Sequence, residues 1–322
     1  MNAVIERIRR IEKEKYAAFA ALALLVVVSS FLSPYFLTPQ NLLNILRQVS
    51  YTGIIALGMT FVIIAGGIDL SVGSVAAFVG SLAVLSLNAS VEGGAPQGWA
   101  VTLAIAAAVG AGGFCGFANG ILVTKGRIAP FIVTLGTMAI FRSLSLYMAD
   151  AGEFRSSSPL FGDLGSASVL GLPFPALSLL ALAAALSFAL KRTRYGRYVR
   201  AVGSNARVAR YSAIDVDRTR LATYTVNGLM VGISAVLIAM RFNSVGSSTL
   251  GVNYEMDAIA AVIIGGTAMT GGRGSVWGTV VGAITLGVIN NMLNMVGLSP
   301  YLQGAVKGLV IIGAVFVQRQ KQ

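Results

Sequence analysis

Val62-Ile63-Ile64-Ala65-Gly66-Gly67-Ile68-Asp69-Leu70-Ser71-Val72-Gly73-Ser74-Val75 joins two apolar runs, Tyr51–Gly66 and Val72–Leu87. A glycine pair and one carboxylate interrupt sequence that otherwise suits hydrocarbon. A helix needs about 20 mostly apolar residues to cross the bilayer core, within a range of about 17–25. Working outward, ten such runs can be read: Ala17–Leu32, Tyr51–Gly66, Val72–Leu87, Ala100–Thr124, Ile128–Ala149, Val169–Leu190, Leu221–Met240, Asp257–Met269, Val276–Val296 and Tyr301–Val317. Three Glu precede the first run, Ser33-Pro34 ends it and no small-residue cleavage site is evident, which argues against a cleavable signal peptide. Barrel strands would be alternating segments of about ten residues, and these runs do not alternate. The expected fold is an all-α polytopic membrane protein of about ten transmembrane helices. Residues 1–322 are read as one membrane domain.

Composition agrees and removes other classes. Of 322 residues, 56% are hydrophobic and 11% charged, where a soluble domain carries about a quarter charged residues. The chain has no histidine, which excludes a Ser-His-Asp or Cys-His nucleophile and a His-containing zinc site. A single cysteine, Cys115, excludes an intrachain disulfide and any metal site built from several thiolates. The net charge of +12 is confined to a few places, which speaks against a nucleic-acid binder.

Charge placement tests the count of spans. Basic residues gather in the N-terminal segment 1–16, at Lys125 and Arg127, at Arg273, and at Arg319 and Lys321, with nine more between Lys191 and Arg220. With ten spans and both termini cytoplasmic, all of these fall on the inner side, as the positive-inside bias requires. Glu92, Asp150, Glu153, Asp163, Glu255 and Asp257 then fall in the opposite loops. Arg47, Arg142, Arg155 and Arg241 lie at or near the outer face, and Lys307 lies within the last span.

The opening stretch recurs loosely as Val262-Ile263-Ile264-Gly265-Gly266 followed by Gly274-Ser275-Val276, at offsets of 199–201 residues. Two short, glycine-broken spans at matching places suggest a diverged duplication with two loosely related halves. Such breaks are sequence pointers to a transport pathway. Two ordinary tight turns, with Asp69 or Ser71 capping the next helix, account for the same residues. Asp69 is the one acidic residue near the apolar runs on the inner half. A proton relay and a structural hydrogen-bonding role are both open to it, and Ser71, Gly73 and Ser74 favour the structural one.

Segment 191–220 sets nine Lys/Arg against Asp215 and Asp217. Within it, Gly203–Ser212 reads as a short helix with Ser204 or Asn205 as N-cap and Val208 and Tyr211 on one side. Docking into a groove on a cytoplasmic partner competes with binding of anionic lipid head groups, and the apolar stripe favours docking. Gly112, Gly116 and Gly120 are spaced for close helix packing, as are Gly228/Gly232, Gly278/Gly282 and Gly304/Gly308. Cys115 lies in the first stripe and reads as an inert core residue. Asn290, Asn291 and Asn294 cluster near the outer end of the ninth span. They suit either a hydroxylated solute or bonds between helices, the second being commoner. Phe131, Arg142 and Asn227 carry the same ambiguity as pathway candidates.

No GxxxxGK[ST] phosphate loop occurs, and the dipeptide Gly-Lys is absent from the sequence. A pump of this sequence therefore needs an ion gradient or a separate ATP-binding subunit.

The stretch Ala65–Ser74 strongly resembles the GIDLSVGS signature of ABC-importer permeases of the ribose, galactose, arabinose and xylose class. Thr38–Leu46, Pro130–Met138, Arg194–Asn205, Tyr254–Val262, Gly265-Gly266-Thr267 and Gly271-Gly272-Arg273-Gly274 extend the likeness, in order, over about residues 35–317. The resemblance implies a multi-pass bacterial inner-membrane permease for a monosaccharide or similar small polyol. It implies pairing with a second permease copy or homologue, a cytoplasmic ABC ATPase and a periplasmic sugar-binding protein. ATP and magnesium would sit on the ATPase, leaving this chain without a cofactor or ATPase site of its own. Gly203, Ser204, Asn205, Arg207, Val208, Arg210 and Tyr211 match the coupling region, and Gly66, Gly67, Asp69, Ser71 and Gly73 the signature. Tyr211-Ser212-Ala213-Ile214 replaces a common Leu-Ser-Gly-Ile run, and Arg273 replaces a common lysine. The reading from another class is an ion-gradient-coupled secondary transporter of a small polar solute.

Overall fold

The order of elements follows the apolar runs closely. The helices are α1 (Leu22–Leu32), α2 (Pro39–Ile64), α3 (Val72–Glu92), α4 (Gln97–Thr124), α5 (Pro130–Met148), α6 (Pro159–Ser166), α7 (Phe174–Arg192), α8 (Arg194–Ser204), α9 (Ala206–Tyr211), α10 (Val216–Phe242), α11 (Tyr254–Ile264), α12 (Val276–Met295) and α13 (Pro300–Arg319). Four short strands, β1 (Glu153–Arg155), β2 (Ser168–Val169), β3 (Leu172–Pro173) and β4 (Ser244–Gly246), form two antiparallel ribbons that an all-α reading omits. The computed structural model describes Ala20 and residues 22–319. The expected cytoplasmic segment 1–16 and Lys321 lie outside the described residues. Among the described residues, seven helices, α2, α3, α4, α5, α7, α10 and α12, are long and apolar enough to cross a membrane.

Two helices depart from the runs that announced them. α2 has 26 residues and is not a short span. Gln40, Asn41, Asn44, Arg47 and Gln48 dilute its first half, so hydropathy registers only from Tyr51. The helix nevertheless starts at Pro39, because the Thr38 hydroxyl accepts from Asn41 N and proline supplies a preset φ at the first position. α11 is the short one, with 11 residues. At 1.5 Å per residue it spans about 16 Å, roughly half of the hydrocarbon core of about 30 Å.

α2 is the central post. Every residue from Val49 to Ile64 except Thr52 is buried. Beside it, α4 and α10 meet along their glycines. A Cβ on Gly112 would stand 2.5 Å from the Gly228 carbonyl oxygen, and one on Gly116 would strike the Tyr224 carbonyl. Backbone-to-backbone approach is what small residues allow where lipid removes the hydrophobic drive for helix association. Gly278 and Gly282 do the same against Gly265 and Ala261. Gly304 and Gly308 do not, since a Cβ on either meets open space among the described residues. Cys115 is buried on the seam.

The two ends of the bundle are fixed by different devices. At one end β1 pairs with β4 in the register Glu153↔Gly246, bringing together the chain after α5 and the chain after α10. Asn88, near the end of α3, joins them by donating to the Arg155 carbonyl at 2.8 Å and accepting from Ser157 N at 2.9 Å. At the opposite end the basic segment 191–220 meets both glycine breaks, the grouping that the charge count requires.

Candidate functional site

The first break closes α2 with a Schellman turn. Gly67 N donates to the Val62 carbonyl at 2.9 Å, Gly66 N to the Ile63 carbonyl at 2.9 Å, and Gly66 takes a φ of +79°. The second break repeats this with the corresponding atoms. Thr267 N donates to Val262 at 3.1 Å, Gly266 N to Ile263 at 2.9 Å, and Gly266 has a φ of +84°. The duplicated element is thus the cap itself.

Beyond Gly67 the chain turns inward to Asp69, whose side chain is buried with 2% exposure. Its Oδ1 accepts from Ser71 N at 3.0 Å and Ser71 Oγ at 2.6 Å, and its Oδ2 accepts from Asn227 Nδ2 at 2.9 Å. Asn119 Nδ2 donates to Ser71 Oγ at 2.9 Å, and the Tyr224 hydroxyl donates to the Ile68 carbonyl at 3.1 Å. Ser71 occupies the N-cap position of α3 without a side-chain cap bond, so Asp69 orders the turn in its place. The network pairs Ser71 N and the Ile68 carbonyl of this buried irregular backbone, which is the condition for such backbone inside a membrane domain. Gly73 continues the close packing, because a Cβ there would strike the Gly251 carbonyl. Asp69, Ser71 and Asn227 are therefore brought together, while Gly66 and Gly67 belong to the cap.

The basic segment is two helices and not a solvated loop. Thr193 caps α8, accepting from Gly196 N at 3.2 Å. Gly203 and Ser204 close α8, so the second helix starts at Ala206, later than Gly203–Ser212 implied. Asn205 sits between them, its Oδ1 accepting from Arg207 N at 3.0 Å and Val208 N at 3.1 Å. This is the short polar side chain that an N-terminal turn needs for its orphan donors. Val202, Ala209 and Val216 form a small core of their own with Ala206 and Ile214 around it, fusing α8, α9 and the start of α10. Outside that core, Val208 is 56% and Tyr211 85% exposed, flanked by exposed Arg207 and Arg210. Asp217 approaches Arg210 only to 3.8 Å.

The remaining candidates separate. Arg142 Nη1 of α5 donates to the carbonyls of Ser247 at 2.8 Å and Leu250 at 3.0 Å, holding the irregular segment between β4 and α11. Asn291 exchanges both amide bonds with Asn41 of α2, at 2.8 and 3.1 Å. Asn294 Oδ1 accepts from Gln303 Nε2 of α13 at 2.7 Å. Asn290 Oδ1 is buried and makes no hydrogen bond among the described residues. Phe131 projects from the uncovered face of α5 with 55% exposure, in line with exposed Ile132, Leu135 and Ile140. Lys307 of α13 pairs with Asp257 in the first turn of α11 at 3.0 Å.

With this geometry in place, comparison with known proteins is decisive. Residues 41–315 match the family described as branched-chain amino acid transport system / permease component. The chain belongs to this permease family. It is 41% identical over 310 residues to a ribose import permease protein of Bacillus subtilis, covering 96% of this chain and 94% of that one. It is 38% identical to a D-allose transport system permease of Escherichia coli, covering 95% and 92% of the two chains. An L-arabinose permease of Escherichia coli is 31% identical over 96% of this chain and 92% of its own.

In the permease, sequence reasoning missed Asn119 and Tyr224, and it quoted Asn41 and Gly272 only within the stretches that carry the resemblance, without reading their contacts. Asn119 falls among the packing glycines Gly116 and Gly120, and an amide at that spacing inside an apolar run is a signal that was available. Asn41 lies in the diluted first half of α2, where hydropathy hid the helix. Gly272 lies in a recognisable glycine turn, but its partner Ile64 is distant in the chain and no local pattern announces their contact.

Proposed function

We propose that this permease is the membrane subunit of an ATP-driven importer for a monosaccharide, a pentose or hexose, or a similar small polyol. It works by alternating access in the bacterial inner membrane, with both termini cytoplasmic and all ten apolar segments in the membrane, α11 as a half-span. The observation that carries the reading is end-to-end similarity to ribose, allose and arabinose permeases at 31–41% identity. The chain contributes the path and no chemistry of its own. A cytoplasmic ABC ATPase holds ATP and magnesium, and a periplasmic sugar-binding protein delivers the solute.

The geometry supports a division of labour. α9 offers an apolar tip, Val208 and Tyr211, between two arginines, and the recess beside it is lined by Arg207, Arg210, Tyr211 and Arg220. Such a tip suits a groove with acidic walls, so we assign ATPase docking to α9 and the end of α8. α5 packs through one face and leaves Phe131, Leu135, Gly136, Ala139 and Ser143 open. A second permease copy or homologue covers that face, and the solute passes between the two. The outward apolar residues of α4 and α7, such as Phe114 and Phe188, meet lipid.

Uptake into proteoliposomes tests this. Accumulation of a labelled sugar is expected only with the ATPase, ATP and the binding protein all present, and it persists with a protonophore. Gradient-driven uptake by the permease alone refutes the proposal.

A further inference from the structure

The basic segment does more than present a tip, for its inner end is locked into both halves of the protein. Ile64 is the last residue of α2, and its carbonyl has no partner within the helix. Gly272 N, from the turn after the second break, donates to it at 2.8 Å. The end of α2 at the first break is thus hydrogen-bonded to the turn that follows the second. Gly203 of α8 lies directly over this bond. A Cβ on Gly203 would strike the Ile64 carbonyl and stand 2.6 Å from Gly272 N. Gly271 and Gly272 have φ of +85° and +77°, and a Cβ on Gly272 would strike Ser204 Oγ of α8. A second attachment lies two turns back, where Tyr195 of α8 stacks on Phe61 of α2 at 5.9 Å and 8°. Burial in that stack pushes the Tyr195 phenol up from its ordinary value.

We infer that Gly203 and Gly272 are positioning residues of a rigid joint that carries displacement of α8–α9 into both glycine breaks at once. This rests on α9 being the ATPase docking element. The physical reason is stiffness. The shared Val202–Ala209–Val216 core makes α8 and α9 one body. Backbone packed on backbone leaves no flexible side chain to absorb a push. The joint also reaches the end of α2 and the glycine turn that follows α11 together, so the duplicated halves receive one signal.

The experiment uses the full permease reconstituted with its ATPase and binding protein. Cys115→Ser removes the native thiol, and Arg197→Cys of α8 with Arg273→Cys, both exposed and outside the docking tip, take spin labels. The label-to-label distance is expected to stay the same in nucleotide-free and ATP-trapped complexes, while the distance from Arg197 to an outer-end label at Leu170→Cys changes. An Arg197–Arg273 distance that shifts by several ångströms between these states overturns the joint. Gly203→Ala is expected to lower sugar transported per ATP hydrolysed by about ten-fold with the ATPase still co-purifying. Gly304→Ala, in open space, is the unaffected control. Unchanged coupling in Gly203→Ala also overturns the inference, and if that variant does not accumulate, the label distances decide alone. Failure of the docking assignment has a separate signature, namely undiminished ATPase co-purification with Arg207→Glu/Arg210→Glu.

Discussion

Asp69→Asn exchanges one atom and reverses one hydrogen bond. The Oδ1 position keeps its bonds from Ser71 N and Oγ, but the new amide nitrogen faces Asn227 Nδ2, and turning the Asn227 amide to offer its unpartnered Oδ1 only moves the surplus N–H to the side beside Gly58. The hydrogen bond between positions 69 and 227 is weakened or lost, about 0.5–1.5 kcal/mol, and a buried N–H is left without a partner in either arrangement, about 1–3 kcal/mol. The two descriptions overlap, so a total of about 3 kcal/mol is expected. Asn227→Asp alone sets two carboxylates against each other and costs at least as much. The double variant Asp69→Asn/Asn227→Asp restores donor to acceptor with the roles exchanged, and it recovers about 1–2 kcal/mol relative to additivity. Melting of the detergent-purified permease, followed by fluorescence-detected size exclusion, gives all four corners of the cycle. Uptake by the surviving fraction is expected to keep its sugar preference. Wild-type melting with abolished transport in Asp69→Asn would overturn the structural account of this carboxylate, as would a double variant no better than the worse single.

Gly116→Val is expected to abolish accumulation of folded protein, because any Cβ there strikes the Tyr224 carbonyl, while Gly308→Val leaves expression unchanged on immunoblots. Lys307→Ala leaves Asp257 unpaired in the first turn of α11 and costs on the order of 3 kcal/mol. Lys307→Ala/Asp257→Ala melts above the lysine single variant, since no uncompensated charge remains. Asn41→Ala and Asn291→Ala each cost about 1 kcal/mol, and the double costs little more than either single in a thermal-shift series. Arg207→Glu/Arg210→Glu reverses the charge around the Val208–Tyr211 tip and is expected to lose the ATPase on affinity purification while the permease elutes at its normal volume.

The fold was legible wherever one local signal dominated. Apolar runs marked the helices, and the glycines at 112, 116 and 120 marked a packing surface, because both depend on residues within a few turns. Asn205 was readable as a cap for the same reason. The first half of α2 was not, since buried Asn41 is satisfied by the Phe36 carbonyl and by its amide partner Asn291, 250 residues away. The candidate site divides in the same manner. Asp69 and Ser71 are two residues apart and their bond follows from the sequence. Asn119 and Asn227 enter through helix packing, and Gly203 over Ile64 and Gly272 joins three distant segments. The open glycines of α13 show the converse, for a spacing that permits close packing does not supply the neighbour.

The half-length of α11 has a consequence for how the protein is made. A segment of 11 residues with Glu255 and Asp257 in its first turn is, by itself, short for membrane insertion. Its counter-charge, Lys307, is synthesised 50 residues later, after the whole of α12. The Asp257 carboxylate gains its cationic partner only once α13 is in place, so α11, α12 and α13 are expected to pack as a unit rather than one after another.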